Sequence, residues 1–228
     1  MDKIKILESI LNLPKGAFFR FPYCVKITDM MTNKPSLLLH VCCAPCSPYV
    51  IKMLKKNYKV TAYFYDPNIH PEEEYTFRLK EMKKFSQDIG LPLIEAEYDA
   101  ERWFEATKGR EEDEEKGERC HLCVDFRLEK AAQFALENGY EYFTTVLSVS
   151  PHKSAKMINS IGRILSKKHF VKFLEADFKK KDGFKKSVEM SKAFGLKRQD
   201  YCGCVYSKKG QPSQERGKRE TTKRQVAD

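Results

Sequence analysis

The chemistry of this 228-residue chain is concentrated in its thiols. Seven of the eight cysteines fall into three groups: Cys42, Cys43 and Cys46; Cys120 and Cys123; Cys202 and Cys204. Cys24 stands apart and reads as a spare buried thiol. Clustered thiols in a reducing compartment bind metal or do redox work rather than form structural disulfides. Cys42 and Cys43 with the C-x-x-C pair Cys120/Cys123 make four thiolates, the number a [4Fe–4S] cluster takes. Tetrahedral zinc also accepts four cysteines, although adjacent ones fit its usual ligand spacings poorly. A dithiol redox pair or buried structural thiols are the further alternatives.

Cys202-Gly203-Cys204 is a different device. Residues two apart lie about 5.5–7 Å from each other at Cα, overlapping the separation a disulfide needs. A glycine between them permits the tight backbone, and a strained disulfide is readily reduced, as suits a redox-active pair. Two ordinary thiols in a turn are the alternative. Asp66, His70 and His152 follow strand ends and are candidate proton donors. His40, inside the first strand, reads as structural.

The elements that must position these groups are legible from periodicity. Leu37–Leu39 and Val41 form a buried strand ending on Cys42, and Pro45 suits the start of a helix. Strands are expected at 60–65, 93–98, 142–147 and 170–174, and helices at 48–57, 72–89, around Trp103, and at 120–138, 152–168 and 184–194. This β–α alternation implies a three-layer, Rossmann-like α/β fold with a parallel sheet. Ligands in such sheets bind beyond the carboxyl ends of the strands. Cys120 and Cys123 open a helix, where unpaired N–H groups favour thiolate. We divide the chain into a helical N-terminal extension (1–36), a catalytic α/β domain (37–206) and a disordered, basic tail (207–228).

The chain carries a formal net charge of +10, is 41% hydrophobic and has a mean hydropathy of -0.59. No apolar run approaches the roughly 20 residues of a membrane span, and the N-terminus lacks a signal peptide's apolar core. A cytoplasmic protein with no membrane partner is expected. Residues 152–198 hold 14 Lys or Arg against four Asp or Glu, whereas 111–118 hold six acids and one Lys. A basic third of this kind suits a polyanionic partner such as nucleic acid.

Taken together, HVCCAPC (40–46), YDPNIHPEEEY (65–75), GERCHLC (117–123), the SPHK segment ending at Lys153, DFKKKDGF (177–184) and KRQDYCGC (197–204) resemble the QueH type of epoxyqueuosine reductase. The likeness covers residues 37–206 with the motifs in order. It implies an adenine-nucleotide-hydrolase-like fold and the last step of queuosine biosynthesis. In that step epoxyqueuosine at the tRNA anticodon wobble position is reduced to queuosine, with the oxygen lost as water. It implies that Cys42, Cys43, Cys120 and Cys123 ligate a [4Fe–4S] cluster and that Cys202 and Cys204 form the redox-active pair. A second, mononuclear iron is a family possibility, with Cys46 as a ligand where some relatives are expected to have an acidic residue. A tRNA substrate makes Lys153, Lys156, Arg163, Lys179, Lys180 and Lys181 candidate phosphate contacts. The electron donor is unidentified.

HVCCAPC stands where ATP-using tRNA-modifying enzymes keep a glycine-rich phosphate loop, and has no glycine to cradle a pyrophosphate. The rival readings are an iron–sulfur-dependent tRNA thiolation enzyme and a non-catalytic, zinc-dependent RNA-binding module. A thioredoxin-like dithiol at CAPC would leave four clustered cysteines unexplained.

Overall fold

The computed structural model describes residues 34–207. Cys24, the expected N-terminal helix and the basic tail after Ser207 lie outside the described residues.

Five strands, β1 (Ser36–Val41), β2 (Lys59–Phe64), β3 (Leu93–Glu95), β4 (Tyr142–Thr145) and β5 (Lys172–Phe173), form one all-parallel sheet in the order β3-β2-β1-β4-β5. The central strand is apolar at Leu37–Leu39 and Val41, broken only by the buried His40, because both of its faces are covered. Leu37, Leu39 and Val41 pack toward α1 (Ser47–Leu54), α2 (Glu72–Asp88) and α6 (Gly183–Ala193), against Val50, Ile51, Met82, Phe85 and Met190. Leu38 faces the other way, toward α4 (Glu118–Glu137) and α5 (Ala155–His169), among Leu128, Ala131, Ala132, Ile158 and Leu165. A short helix, α3 (Ala100–Ala106), contributes the buried Trp103.

Local features favour the starts of two of these helices. Three glutamates, Glu72–Glu74, occupy the positive first turn of α2. Ser154 caps α5, its hydroxyl accepting from the Met157 N–H at 3.2 Å. That cap starts α5 three residues later than expected and leaves Ser150–Lys153 as a turn. β4 is shorter than its apolar run: the Thr145 hydroxyl accepts from the Leu147 N–H at 3.2 Å, and residues Val146–Val149 coil into a 3₁₀ turn. β3 stops at Glu95, so that Tyr98 can swing over and donate its hydroxyl to the Ile69 carbonyl at 2.7 Å.

The strand order reverses between β1 and β4, since β1 is followed by β2 and β3 on one side and by β4 and β5 on the other. The crevice beyond the carboxyl ends at such a reversal is where open α/β sheets bind ligands. Val41 pairs with Phe64 and His40 with Thr145, so Cys42, Asp66 and Val146 all emerge at that edge. Among the described residues no helix is long and apolar enough to cross a membrane.

Candidate metal and redox centre

A cavity of about 440 Å³ opens at the reversal point. All seven described cysteines line it, and all are free thiols. The structure thus brings the three sequence groups to one place.

β1 delivers the first group. Cys42 is half-buried, Cys43 is buried, and their sulfurs lie 3.8 Å apart. Cys43 adopts an extended conformation just before the 3₁₀ turn Ala44–Cys46, which brings Cys46 back to the same cavity. Hydrogen bonding from the Cys43 and Cys46 thiols, with Arg127 and His40 nearby, holds Cys42 well below the ordinary thiol range. The complementary effect raises Cys43, and pushes Cys46 up to about 12. The three thiols are therefore unequal, Cys42 being the most readily deprotonated, and metal binding would draw protons from all three.

The second group sits on the first turns of α4. The Lys116 N–H donates to the Cys120 sulfur at 3.2 Å, and the Arg119 N–H donates to Asp113 Oδ2 at 2.8 Å. Arg119 also donates to the Arg110 and Glu111 carbonyls at 2.8 and 2.9 Å, tying down the acidic loop that precedes the helix. Burial raises the Cys123 thiol, opposed by Arg127 one helical turn away and by the Trp103 indole.

The third group hangs on Arg78. This buried arginine of α2 pairs with Glu74 at 2.7 Å and donates to the Tyr201 and Cys202 carbonyls, each at 3.3 Å. The His70 N–H donates to the Gly203 carbonyl at 2.8 Å, and the Tyr201 hydroxyl donates to the His70 carbonyl at 2.9 Å. Gly203 has φ +98°, and an added Cβ would sit 2.8 Å from Ile69 Cγ1. Only glycine fits there. The two thiols are unequal: a hydrogen bond from Cys204, with Lys153 and Ser207 adding to it, holds Cys202 well below the thiol range, while Cys204 is raised. The pair is thus asymmetric, with Cys202 the more readily deprotonated of the two.

Of the expected proton donors, His152 lines the cavity. Asp66 is fully buried outside it, paired with Arg127 and 3.6 Å from His40. His70 is buried as well, its ring 3.0 Å from the Tyr98 hydroxyl and stacked on Phe104 at 4.6 Å. His40 is structural, bridging the Thr145 hydroxyl at 2.8 Å and the Tyr65 carbonyl at 3.2 Å.

The expected phosphate contacts separate. Lys153 lies inside the cavity; burial disfavours its charge, but Cys202, Cys120 and Cys123 outweigh that and keep it an ammonium. Lys179 donates to the Ser148 and Lys153 carbonyls at 3.1 and 3.0 Å, fixing the loop that presents Lys153. Arg163 pairs with Glu175 at 2.6 Å on the surface. Lys156, Lys180 and Lys181 are exposed.

Sequence reasoning missed Arg78, Arg119, Arg127 and Arg198, all of which line the cavity. A signal existed for two of them. Arg78 and Arg127 lie on the apolar stripes of α2 and α4, among Tyr75, Leu79 and Met82 and among Val124, Leu128 and Ala131. A charge at a core position must have a buried partner. With Lys153 these give five cations against two lining carboxylates, Glu115 and Asp200. Four thiolates bound to a metal centre carry net negative charge, and this surplus compensates it. Among the described residues no three His, Cys, Asp or Glu side chains converge closely enough for a single metal ion. All four thiols nonetheless line the one cavity. The donor set and the surrounding charge fit a cluster.

The chain matches the family model described as "Epoxyqueuosine reductase QueH" over residues 37–210. A relative of that name from Streptococcus pyogenes serotype M1 is 40% identical over 192 residues, covering 82% of this chain and 75% of the relative. One from Histophilus somni is 43% identical over 173 residues, covering 75% and 71%. Among solved structures, the U34-tRNA thiolase NcsA from Methanococcus maripaludis, with its [4Fe-4S] cluster, superposes with a TM-score of 0.51 at 14% identity. That alignment covers 99% of this chain and 75% of the thiolase. It shows a shared fold, a layered α/β architecture around a parallel sheet as expected.

Proposed function

The chain belongs to the epoxyqueuosine reductase QueH family, oxidoreductases of queuosine biosynthesis, and we propose that its thiol-lined cavity reduces epoxyqueuosine in tRNA to queuosine. Seven thiols converging on one crevice, with the charge balance just described, is the observation that carries this reading. Family membership also favours reduction over thiolation and over a zinc-dependent RNA-binding module.

Opening an epoxide to an alkene consumes two electrons and two protons and releases water. We assign Cys42, Cys43, Cys120 and Cys123 as ligands of a [4Fe–4S] cluster, which supplies one-electron transfer when bound. Cys202 and Cys204 are the redox pair. Oxidation of their thiolate–thiol form to a disulfide yields two electrons and the Cys204 proton. Lys153, an ammonium within the cavity, stabilises negative charge as it develops on the departing oxygen. His152, at the exposed rim, supplies the second proton from solvent. An external electron donor then restores the dithiol. Asp66 and His70, buried outside the cavity, serve by positioning rather than by touching substrate.

A second, mononuclear iron beside the cluster rests on the family resemblance alone, with Cys46, which lines the same cavity as Cys42 and Cys43, as its candidate ligand. The substrate is a tRNA, and the exposed Lys156, Lys180 and Lys181 track its backbone. Metal analysis after anaerobic purification tests the cofactor assignment. Iron and acid-labile sulfide are expected, with iron in excess of sulfide if the second iron is bound. Zinc without iron or sulfide would contradict it.

A further inference from the structure

A chain of buried polar groups, Thr145, His40, Asp66 and Arg127, runs from the sheet to the thiols without being assigned a contact with substrate. The Thr145 hydroxyl meets His40 Nδ1 at 2.8 Å, His40 Nε2 lies 3.6 Å from Asp66 Oδ1, and Asp66 Oδ1 accepts from Arg127 Nη2. All four side chains are buried, Arg127 at 4% exposure. The ion pair is incomplete on both sides, because Asp66 Oδ2 and Arg127 Nε have no hydrogen-bond partner. Desolvating a guanidinium beside the core is costly, and one carboxylate oxygen does not fully compensate it. The remaining N–H face of Arg127 is turned to the cavity it lines, together with Cys42 and Cys123.

Helix geometry fixes this placement. Cys120, Cys123 and Arg127 occur at i, i+3 and i+7 on α4, one face over two turns. Cys42 and Asp66 follow the paired ends of β1 and β2. The guanidinium therefore sits where the helix-borne and strand-borne thiols meet. The electrostatic coupling of Arg127 to Cys123 and Cys42 agrees with that position.

We propose that Arg127, held by Asp66, is a fixed counter-charge to the metal centre that stabilises its reduced state and so raises its reduction potential. This rests on the cluster assignment given above. A thiolate-ligated cluster gains one unit of negative charge on reduction, and a cation at a buried site favours that gain more than one in water would. Asp66 is a positioning residue: it fixes the guanidinium and partly offsets its charge. The two members of the pair thus act on the potential with opposite signs.

The test is an EPR-monitored redox titration of anaerobically reconstituted full-length protein, with iron and sulfide measured on each sample. Arg127→Gln is expected to shift the midpoint negative, Asp66→Asn to shift it positive, and Arg127→Lys to stay near the parent. Should the Gln variant fail to fold, the Asn and Lys variants carry the comparison. Equal midpoints for parent and Asp66→Asn, or shifts of the same sign in both neutral variants, would overturn the proposal. A Lys variant that behaves like the Gln variant would do the same. A parent protein that assembles no four-iron cluster would overturn the underlying assignment instead.

Discussion

Substituting Gly203 by alanine is the most searching perturbation of the redox pair, because it changes neither thiol. Gly203 lies at φ +98°, where an L-residue is strained by about 1–3 kcal/mol. The new methyl would also lie 2.8 Å from Ile69 Cγ1, 3.1 Å from Arg78 Nη1 and 3.3 Å from Ile69 Cα. Arg78 could yield only by weakening its bonds to the Tyr201 and Cys202 carbonyls, and Ile69 is fully buried. A cost near the upper end of that range, about 3 kcal/mol, is enough to lift the loop. If it were felt in global unfolding, the melting temperature would fall by about 6–12 °C. Local release of residues 201–204 is the easier response, which would leave the melting temperature nearly unchanged. Turnover is therefore the sharper readout: Gly203→Ala should keep its cluster absorbance and lose most epoxide reduction. Its Cys202/Cys204 disulfide should form more slowly under mild oxidant, followed by thiol labelling and mass spectrometry. Parent-like turnover in a folded, cluster-loaded Gly203→Ala variant would refute the idea that this backbone holds the pair in register.

Cys120→Ala should lose the cluster, seen as loss of iron, sulfide and visible absorbance, whereas Cys204→Ala should retain it and fail in turnover. The pH dependence of Cys202 has a definite sign. Its thiolate is stabilised by Cys204 and then by Lys153, so iodoacetamide should label it at a lower pH than an ordinary thiol, and Lys153→Met should move the labelling midpoint upward. An unmoved midpoint would show that Lys153 does not act on this thiol. Lys156→Gln combined with Lys180→Gln should weaken tRNA binding and lower the salt dependence of log K by about 0.9 for each phosphate no longer neutralised. Filter binding across a salt series measures this.

The layered sheet was legible because Leu37–Leu39 and Val41 can all be apolar only in a strand covered on both faces. Boundaries slipped where side chains outcompete propensity. The Thr145 hydroxyl ends β4 early, and the Ser154 cap delays α5, so that Lys153 enters the cavity instead of riding a solvent-facing helix. Sharing a sheet edge was a sound reason to group Asp66, His70 and His152, but it could not tell which would face the crevice. Asp66 is drawn inward by Arg127, and His70 by Tyr98 and Phe104, neither of which is near it in sequence. The cysteine groups were visible as groups. The arginines that neutralise them were not, since a buried charge is recognisable only once its stripe and its partner are known.

The most direct test of the account is a single-turnover reaction under anaerobic conditions. Cluster-loaded, fully reduced protein, freed of other reductant, is mixed with tRNA carrying epoxyqueuosine. Nucleosides are then quantified by mass spectrometry alongside the free thiols of Cys202 and Cys204. Conversion to queuosine should appear in step with loss of those two thiols. Epoxyqueuosine left intact by a cluster-loaded, reduced sample would contradict the assignment, and conversion with both thiols still free would remove the Cys202/Cys204 pair from it.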